Sequence, residues 1–391
     1  MKIDFLFFDA GGGHRAAATA LKSVVEQQQR PWQVRLVDVG DILAPIDIFR
    51  KTIGLGLEDI YNLLLKKGWT LGSTQLLPLM HAVIRLYHGK QVRLLAEHWR
   101  ADTPDMVVSL IPNFGRAVYE GFRRVSPDAP FVTVLTDLAD YPPHVWMERQ
   151  PQYYVCGSER AEQQAYEMGH PPERVFRVSG MVLRPAFYEA RPLDRAAERK
   201  RLGLEPDLPT GLVLFGGQGA SVMQRIATRL AGSGQRMQLI LIAGHNTALA
   251  EKLRRMRAPI PMHVEGFTKE IPYYMRLADF FIGKPGPGSI SEALAMRLPV
   301  IVERNAWTLP QERYNAEWIR ERGLGMVLPT FRKIDEAVTE LLRPGVLEGL
   351  RARAAEIGNR AVFEIPDILE KILVYSAHRD RRCTDEPGYT P

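Results

Sequence analysis

Cysteine is scarce in this chain. Cys156 and Cys383 are the two in 391 residues, and neither belongs to a CxxC pair. That spacing argues against a zinc site or a disulfide framework and fits a reducing cytosol. No apolar run reaches the ~18 residues that a membrane-spanning helix needs, so membrane contact is expected to be peripheral. Long Lys/Arg blocks are missing, as is any aromatic-basic module of the RNA-binding kind, and no nucleic-acid partner is expected. Met1–Phe8 is short, holds an acid, Asp4, among its apolar residues, and runs almost directly into Gly11, Gly12 and Gly13. A signal peptide needs a longer apolar region and a small-residue cleavage site; a first strand fits instead.

The composition is that of a globular chain, 46% hydrophobic and 25% charged. At roughly 100–200 residues per domain, this length favours two domains. The formal net charge of +6 suits an anionic lipid surface, nucleic acid or a phosphorylated substrate, and equally a soluble protein that is simply basic.

Ile3–Phe8 reads as a buried strand closed by glycines. His14–Gln29 reads as a helix with Ala17, Leu21 and Val24–Val25 on one face, and Val34–Val37 as a second strand. Strand, glycine-rich turn, helix, strand opens a doubly wound α/β domain. Ile46 to Arg100 is different: helical, Leu-rich and basic, with Lys66, Lys67 and Arg85 among Trp69, Leu76, Leu77 and Met80. Either these are sheet-covering helices with solvated lysines, or they form an apolar, basic surface for an anionic bilayer. The α/β rhythm then resumes, with strands at Met106–Leu110, Phe131–Leu135, Tyr153–Cys156 and Val175–Val178.

Proline interrupts the stretch 183–210, which is expected to connect two domains. A second series follows, with strands at Gly211–Phe215, Leu239–Ile242, Phe280–Ile282 and Pro299–Val302. The expected organisation is an N-terminal domain over 1–182, a connection over 183–210 and a C-terminal domain over 211–360. A helix over 361–379 is expected to return to the first domain, before a disordered tail over 380–391. The fold class is α/β, with two Rossmann-like doubly wound domains facing a cleft.

Ligands of open parallel sheets bind beyond the carboxyl ends of the strands, where the glycine-rich turns fall. Lys284-Pro285-Gly286-Pro287-Gly288-Ser289 lies between a strand and a helix. Its glycines admit a bulky anion, and backbone N–H groups at the helix start face it, so a diphosphate can be held without a metal. Glu292, one turn on, can accept ribose hydroxyls or merely offset the helix dipole. Gln311, Glu312 and Asn315 follow a later strand and carry the amide and carboxylate groups that bind sugars, or form an ordinary polar helix start. His14, after Gly12 and Gly13, has the chemistry to take a proton from a hydroxyl near neutral pH; it could also simply close the turn. Asp137 ends a strand and can orient His14, act as the base, or cap a loop.

In order along nearly the whole chain, these segments resemble the monogalactosyldiacylglycerol synthase and diacylglycerol glucosyltransferase family. That family is related to the peptidoglycan enzyme that adds N-acetylglucosamine to a lipid-linked precursor. The segments are Gly11–Arg15, Thr136–Leu138, Gly216–Gly219, Gly266–Phe267, Lys284–Leu294 and Gln311–Asn315. The resemblance implies an inverting GT-B transferase without an essential metal or cofactor, acting on a UDP-sugar. It implies transfer of galactose or glucose to diacylglycerol on the cytoplasmic face of the cell membrane, with anionic lipids as partners. It implies Pro285, Gly286, Gly288 and Ser289 at the diphosphate, Glu292 at the ribose, Gly266 and Phe267 at the uracil, and Gln311, Glu312 and Asn315 near the sugar. Gly12, Gly13, Gly216, Gly217, Gln218 and Asn246 complete the expected donor site, with His14 and Asp137 catalytic. Lys66, Lys67, Trp69, Leu76, Leu77 and Met80 are expected on the membrane and acceptor side. Gln218 stands where the family often has Glu, which bears on sugar preference or lipid activation.

Rival readings remain on the sequence. Gly11-x-Gly13-x-x-Ala16 with Asp38 fits a nicotinamide dehydrogenase, but gives no reason for the second set of glycine-rich turns. A UDP-sugar 2-epimerase keeps the fold and needs no lipid-facing segment. A non-catalytic lipid-surface protein would have no use for both His14 and Glu292.

Overall fold

The computed structural model describes residues 1–8, 12–46, 84–141, 144–189 and 192–384. Gly11 and the residues expected on the membrane side (Lys66, Lys67, Trp69, Leu76, Leu77 and Met80) lie outside the described residues. The chain forms two compact units. Among the described residues, the first extends to Arg184 and resumes at Arg360, and the second runs from Pro185 to Asn359.

The first unit holds β1 (Lys2–Phe7), β2 (Gln33–Asp38), β3 (Met106–Ser109), β4 (Phe131–Val134), β5 (Tyr153–Cys156) and β6 (Val175–Arg177). They form one parallel sheet in the order β2-β1-β3-β4-β5-β6. Parallel sheets are covered on both faces, so their strands read as continuous apolar runs; β3 and β4 are buried at every position. The crossover from β1 to β2 is the Gly13–Gln27 helix, which buries Ala17, Ala18, Leu21, Val24 and Val25 at helical spacing. Gly12 opens it at φ +77°, a conformation glycine adopts without a Cβ penalty.

Asp4 is the exception within β1: it is fully buried. Arg35 on β2 meets it with two hydrogen bonds, Nε to Oδ1 at 2.6 Å and Nη2 to Oδ2 at 2.8 Å, and the Trp99 indole donates to Oδ2 at 3.0 Å. A buried carboxylate is tolerated when its lone pairs are satisfied in this way.

The Ala361–Thr384 helix belongs to the first unit. Glu364 near its start accepts from the Ser179 N–H at 2.8 Å and from the Ser179 hydroxyl at 2.6 Å. Arg30 pairs with Asp367 and Glu370 further along. The helix continues to Thr384, beyond residue 380 where a disordered tail was expected.

The second unit holds β7 (Thr210–Leu214), β8 (Gln238–Ile242), β9 (Met262–Glu265), β10 (Phe280–Gly283), β11 (Val300–Glu303) and β12 (Gly325–Leu328). They too form one parallel sheet, in the order β12-β11-β10-β7-β8-β9. β9 and β12 are absent from the sequence reading. Both are edge strands, four residues long and half-buried; β9 alternates apolar and polar residues, and the apolar run of β12 is only Met326, Val327 and Leu328.

The stretch 183–210 is more than a connection. Its Arg195–Arg201 helix is fastened to the second unit by Arg199, which is almost fully buried. The Arg199 guanidinium donates to the carbonyls of Leu277 and Pro206 and to Asp279 Oδ2, and Arg195 donates to Asp279 Oδ1 at 2.7 Å. These two arginines are structural ties.

Candidate active site

In the second unit the strand order reverses between β7 and β10, a topological switch point of the kind where open α/β sheets bind ligands. The two most glycine-rich turns leave these two strands. After β7, Gly216 and Gly219 take positive φ, +73° and +59°. After β10, Gly286 caps the Pro287–Ala295 helix, whose start has no side-chain cap and no acid in its first turn. Backbone N–H groups there are left for an outside acceptor, and the helix dipole favours an anion.

The turn after β8 is locked to the turn after β7. Gly244 sits at φ +62°, and a Cβ there would stand 2.1 Å from the Gly217 carbonyl oxygen. The His245 N–H donates to that same carbonyl at 2.8 Å. His245 in turn stacks on Phe267, with ring centroids 3.9 Å apart and planes 19° apart. Glu265 holds the base of this platform: Oε1 accepts from the Gly266 N–H at 2.8 Å and Oε2 from the Tyr274 hydroxyl at 2.6 Å. Those bonds hold the Glu265 pKa below its usual range, the Tyr274 hydroxyl foremost, against desolvation.

The Pro310–Glu321 helix, after β11, reaches the turn after β10. Asn315 is fully buried, and its amide donates to the Pro285 carbonyl at 2.8 Å. Glu312 is buried and pairs with Lys284 Nζ at 2.8 Å. A Cβ on Gly286 would lie 3.4 Å from Lys284 Cε and 3.5 Å from Glu312 Oε1. The second unit therefore brings the turns that hold Gly216, Gly217, Gln218, Gly266, Phe267, Pro285 and Gly286 together with Glu312 and Asn315 on the Pro310–Glu321 helix. Ser289 turns its hydroxyl back to the Gly286 carbonyl at 3.3 Å. Asn246 caps the Thr247–Arg254 helix, accepting from the Leu249 N–H at 3.0 Å. Gly288, Glu292 and Gln311 lie on the two helices, Gly288 exposed and the other two half-buried.

In the first unit the strand order reverses between β1 and β3. Gly12, Gly13 and His14 follow β1, and His14 Nδ1 lies 3.1 Å from Thr136 Oγ1, just past β4. Desolvation pushes the His14 pKa down to about 4, opposed in part by a hydrogen bond with the Leu110 backbone. The ring is neutral at ordinary pH. Asp137 Oδ2 accepts from the Trp146 indole at 2.9 Å, and Trp146 lies 5.9 Å from the His14 ring, centroid to centroid. Asp140 presents Trp146, accepting from the N–H groups of His144, Val145 and Trp146 at 3.0, 2.9 and 2.8 Å. Burial raises the Asp140 pKa against these backbone bonds. Asp38, the acid a dehydrogenase would turn to ribose, accepts from the Gly40 N–H at 2.9 Å and pairs with Arg15 at 3.6 Å.

Trp146, Lys284, Glu265 and His245 were not singled out from sequence. Lys284 carried one readable signal, a cation placed directly between an apolar strand and a glycine turn.

Two parallel six-stranded sheets, each with glycine-rich turns at its switch point, are the architecture of the GT-B glycosyltransferases. The fold is shared with MurG of Acinetobacter baumannii, at a TM-score of 0.61 and 14% identity over 95% of this chain and 99% of that one. It is shared with Anabaena HepE, solved with UDP and glucose, at 0.54 and 16% over 95% of this chain and 100% of that one. Residues 211–372 match the glycosyltransferase family 28 C-terminal domain. Among curated relatives, the probable monogalactosyldiacylglycerol synthase 2 of Oryza sativa subsp. indica is 29% identical, covering 94% of this chain and 80% of the relative. Monogalactosyldiacylglycerol synthase 1 of Arabidopsis thaliana is 28% identical, covering 95% and 71%.

Proposed function

We propose that this glycosyltransferase is an inverting enzyme that needs no metal and moves a hexose from a UDP-sugar to diacylglycerol at a membrane surface. Galactose is the favoured sugar and glucose the next. The observation that carries the donor half is the convergence, at the switch point of the second unit, of the Gly216–Gly219 turn, the uncapped Gly286 helix start and the buried Glu312. The likeness to monogalactosyldiacylglycerol synthases over most of the chain supports the acceptor half.

The chemistry is one displacement. The acceptor oxygen forms a bond to the anomeric carbon as the bond from that carbon to the β-phosphate oxygen breaks. The electron pair leaves with UDP, and the acceptor proton passes to a base. His14 is the base we favour, because its neutral ring is a ready acceptor. Asp137, held by Trp146, is the alternative. The helix start at Gly286–Ser289 stabilises the leaving diphosphate through backbone N–H groups and the helix dipole. Glu292 takes the ribose, and Phe267 with Gly266 the uracil.

Among the described residues, no helix is long and apolar enough to cross a membrane. Attachment at the cytoplasmic face through the basic, Leu-rich segment that contains Lys66, Lys67 and Trp69, to anionic lipids, belongs to the same proposal.

The test offers UDP-galactose and UDP-glucose separately with diacylglycerol in mixed micelles, with and without anionic lipid. A glycosyldiacylglycerol, faster with anionic lipid, is the expected product. UDP release without a lipid product would leave the donor site standing and remove the acceptor.

A further inference from the structure

We propose that Lys284 is an exchange cation: in the empty site it neutralises Glu312, and on donor binding it moves to the β-phosphate and hands Glu312 to the hexose. This rests on the second unit being a UDP-hexose site.

Glu312 is a buried carboxylate, and the Lys284 ammonium pairs with it at 2.8 Å. The lysine side chain is itself 38% exposed, so it is anchored to the acid without being enclosed. Its stem lies across both glycine turns at the switch point. A Cβ on Gly286 would stand 3.4 Å from Lys284 Cε, and one on Gly216 would stand 3.8 Å from the same carbon. The turns that are open to a diphosphate are thus the turns that the lysine stem spans.

A lysine suits this role. It is a compact charge on a flexible stem with three donors, and it meets phosphate without the fixed fork of an arginine. Breaking a buried ion pair by removing one partner is costly because a charge is left without compensation. Exchange avoids that cost. The ammonium gives up a carboxylate for a phosphate oxygen, and the carboxylate gives up an ammonium for sugar hydroxyls. Neither is stranded, but only if phosphate and hexose arrive on one molecule. Recognition of the two ends of the donor is thereby coupled. During transfer the ammonium keeps its protons. The bond from the anomeric carbon to the β-phosphate oxygen breaks, the electron pair stays on that oxygen, and the adjacent cation stabilises the charge.

Calorimetric titration of UDP and UMP into the full chain tests the exchange. Lys284→Met should weaken UDP binding by roughly 10- to 100-fold, the worth of a charge-assisted hydrogen bond, and leave UMP, which has no β-phosphate, nearly unchanged. Glu312→Gln should bind UDP at least as tightly as the native chain, because the lysine is released, while turnover falls. Lys284→Met with Glu312→Gln leaves no buried acid without a partner and should bind UDP as weakly as Lys284→Met alone. Native UDP affinity in Lys284→Met, or equal weakening of UDP by both single variants, overturns the exchange and leaves the donor site intact. A native chain that binds no UDP removes the donor-site reading, and the exchange with it.

Discussion

Gly244 and Gly217 meet so closely that the turns after β7 and β8 form one structure. No side chain fits at 244: its Cβ would lie 2.1 Å from the Gly217 carbonyl oxygen, on a backbone already at φ +62°. Gly244→Ala must therefore shift the Gly216–Gly219 turn and the His245–Phe267 stack with it. We expect a loss of about 1–3 kcal/mol of stability from the left-handed backbone and the clash. UDP binding should weaken more than it does in an alanine variant of exposed Gly234, which also has positive φ but nothing within 4 Å of its Cβ. Thermal melts and UDP titration of the two variants make the comparison.

Asp4 is enclosed by Arg35 and Trp99 in the core of the first unit. Asp4→Ala removes two hydrogen bonds from the Arg35 guanidinium, which keeps Asp102, and leaves the buried indole N–H of Trp99 without its acceptor. The expected cost is about 1–3 kcal/mol, the range for a buried polar group left unsatisfied. Denaturant unfolding of the native chain and the variant reads it directly. A change within about 0.5 kcal/mol, as for an ordinary surface substitution, would contradict the burial argument.

A base at His14 has a distinctive pH signature. Its pKa is lowered from 6.5 to about 4 by desolvation. The neutral form is then fully present at pH 6 and above, and is lost only as the pH falls through about 4. The acid limb of kcat/KM should thus fall well below the ordinary histidine range, and His14→Ala should remove it along with most of the rate. The same shift contributes stability that is present above about 6.5 and is lost as the pH drops from there through about 4.

Asp140 acts on the site through Trp146. Asp140→Ala removes the acceptor for three backbone N–H groups at 144–146, at about 1–3 kcal/mol for each buried group left unsatisfied. Trp146 is 2% exposed in the native chain. The variant should show red-shifted tryptophan emission together with a fall in kcat/KM. Asp140→Asn keeps one acceptor oxygen and should retain part of both.

Much of this was legible in the sequence for physical reasons. Central parallel strands such as Val107–Val108 and Leu239–Ile242 are buried on both faces, and so appear as short apolar runs between glycines. The turns after β7 and β10 were readable because only glycine fits a positive φ or a close approach. β9 and β12 escaped because each is four residues long and half-buried, β9 alternating apolar and polar residues as Met262-His263-Val264-Glu265 and β12 offering only Met326, Val327 and Leu328 as apolar side chains. Arg195 and Arg199 were not singled out, since a sequence does not show that a guanidinium is held against carbonyls and Asp279. Trp146 sits in a loop with no periodicity to betray it, and its place beside His14 depends on Asp140 closing a turn. Asn246 was expected in the donor site, and its side-chain oxygen caps the helix that follows.

The most direct measurement is the structure of the product made from UDP-galactose and diacylglycerol in mixed micelles, read by NMR of the purified lipid alongside the UDP released. Single displacement at an α-linked donor predicts a β-galactosyldiacylglycerol, one for each UDP, and none from His14→Ala. An α-linked product, or UDP accompanied by free galactose and no glycolipid, would contradict it.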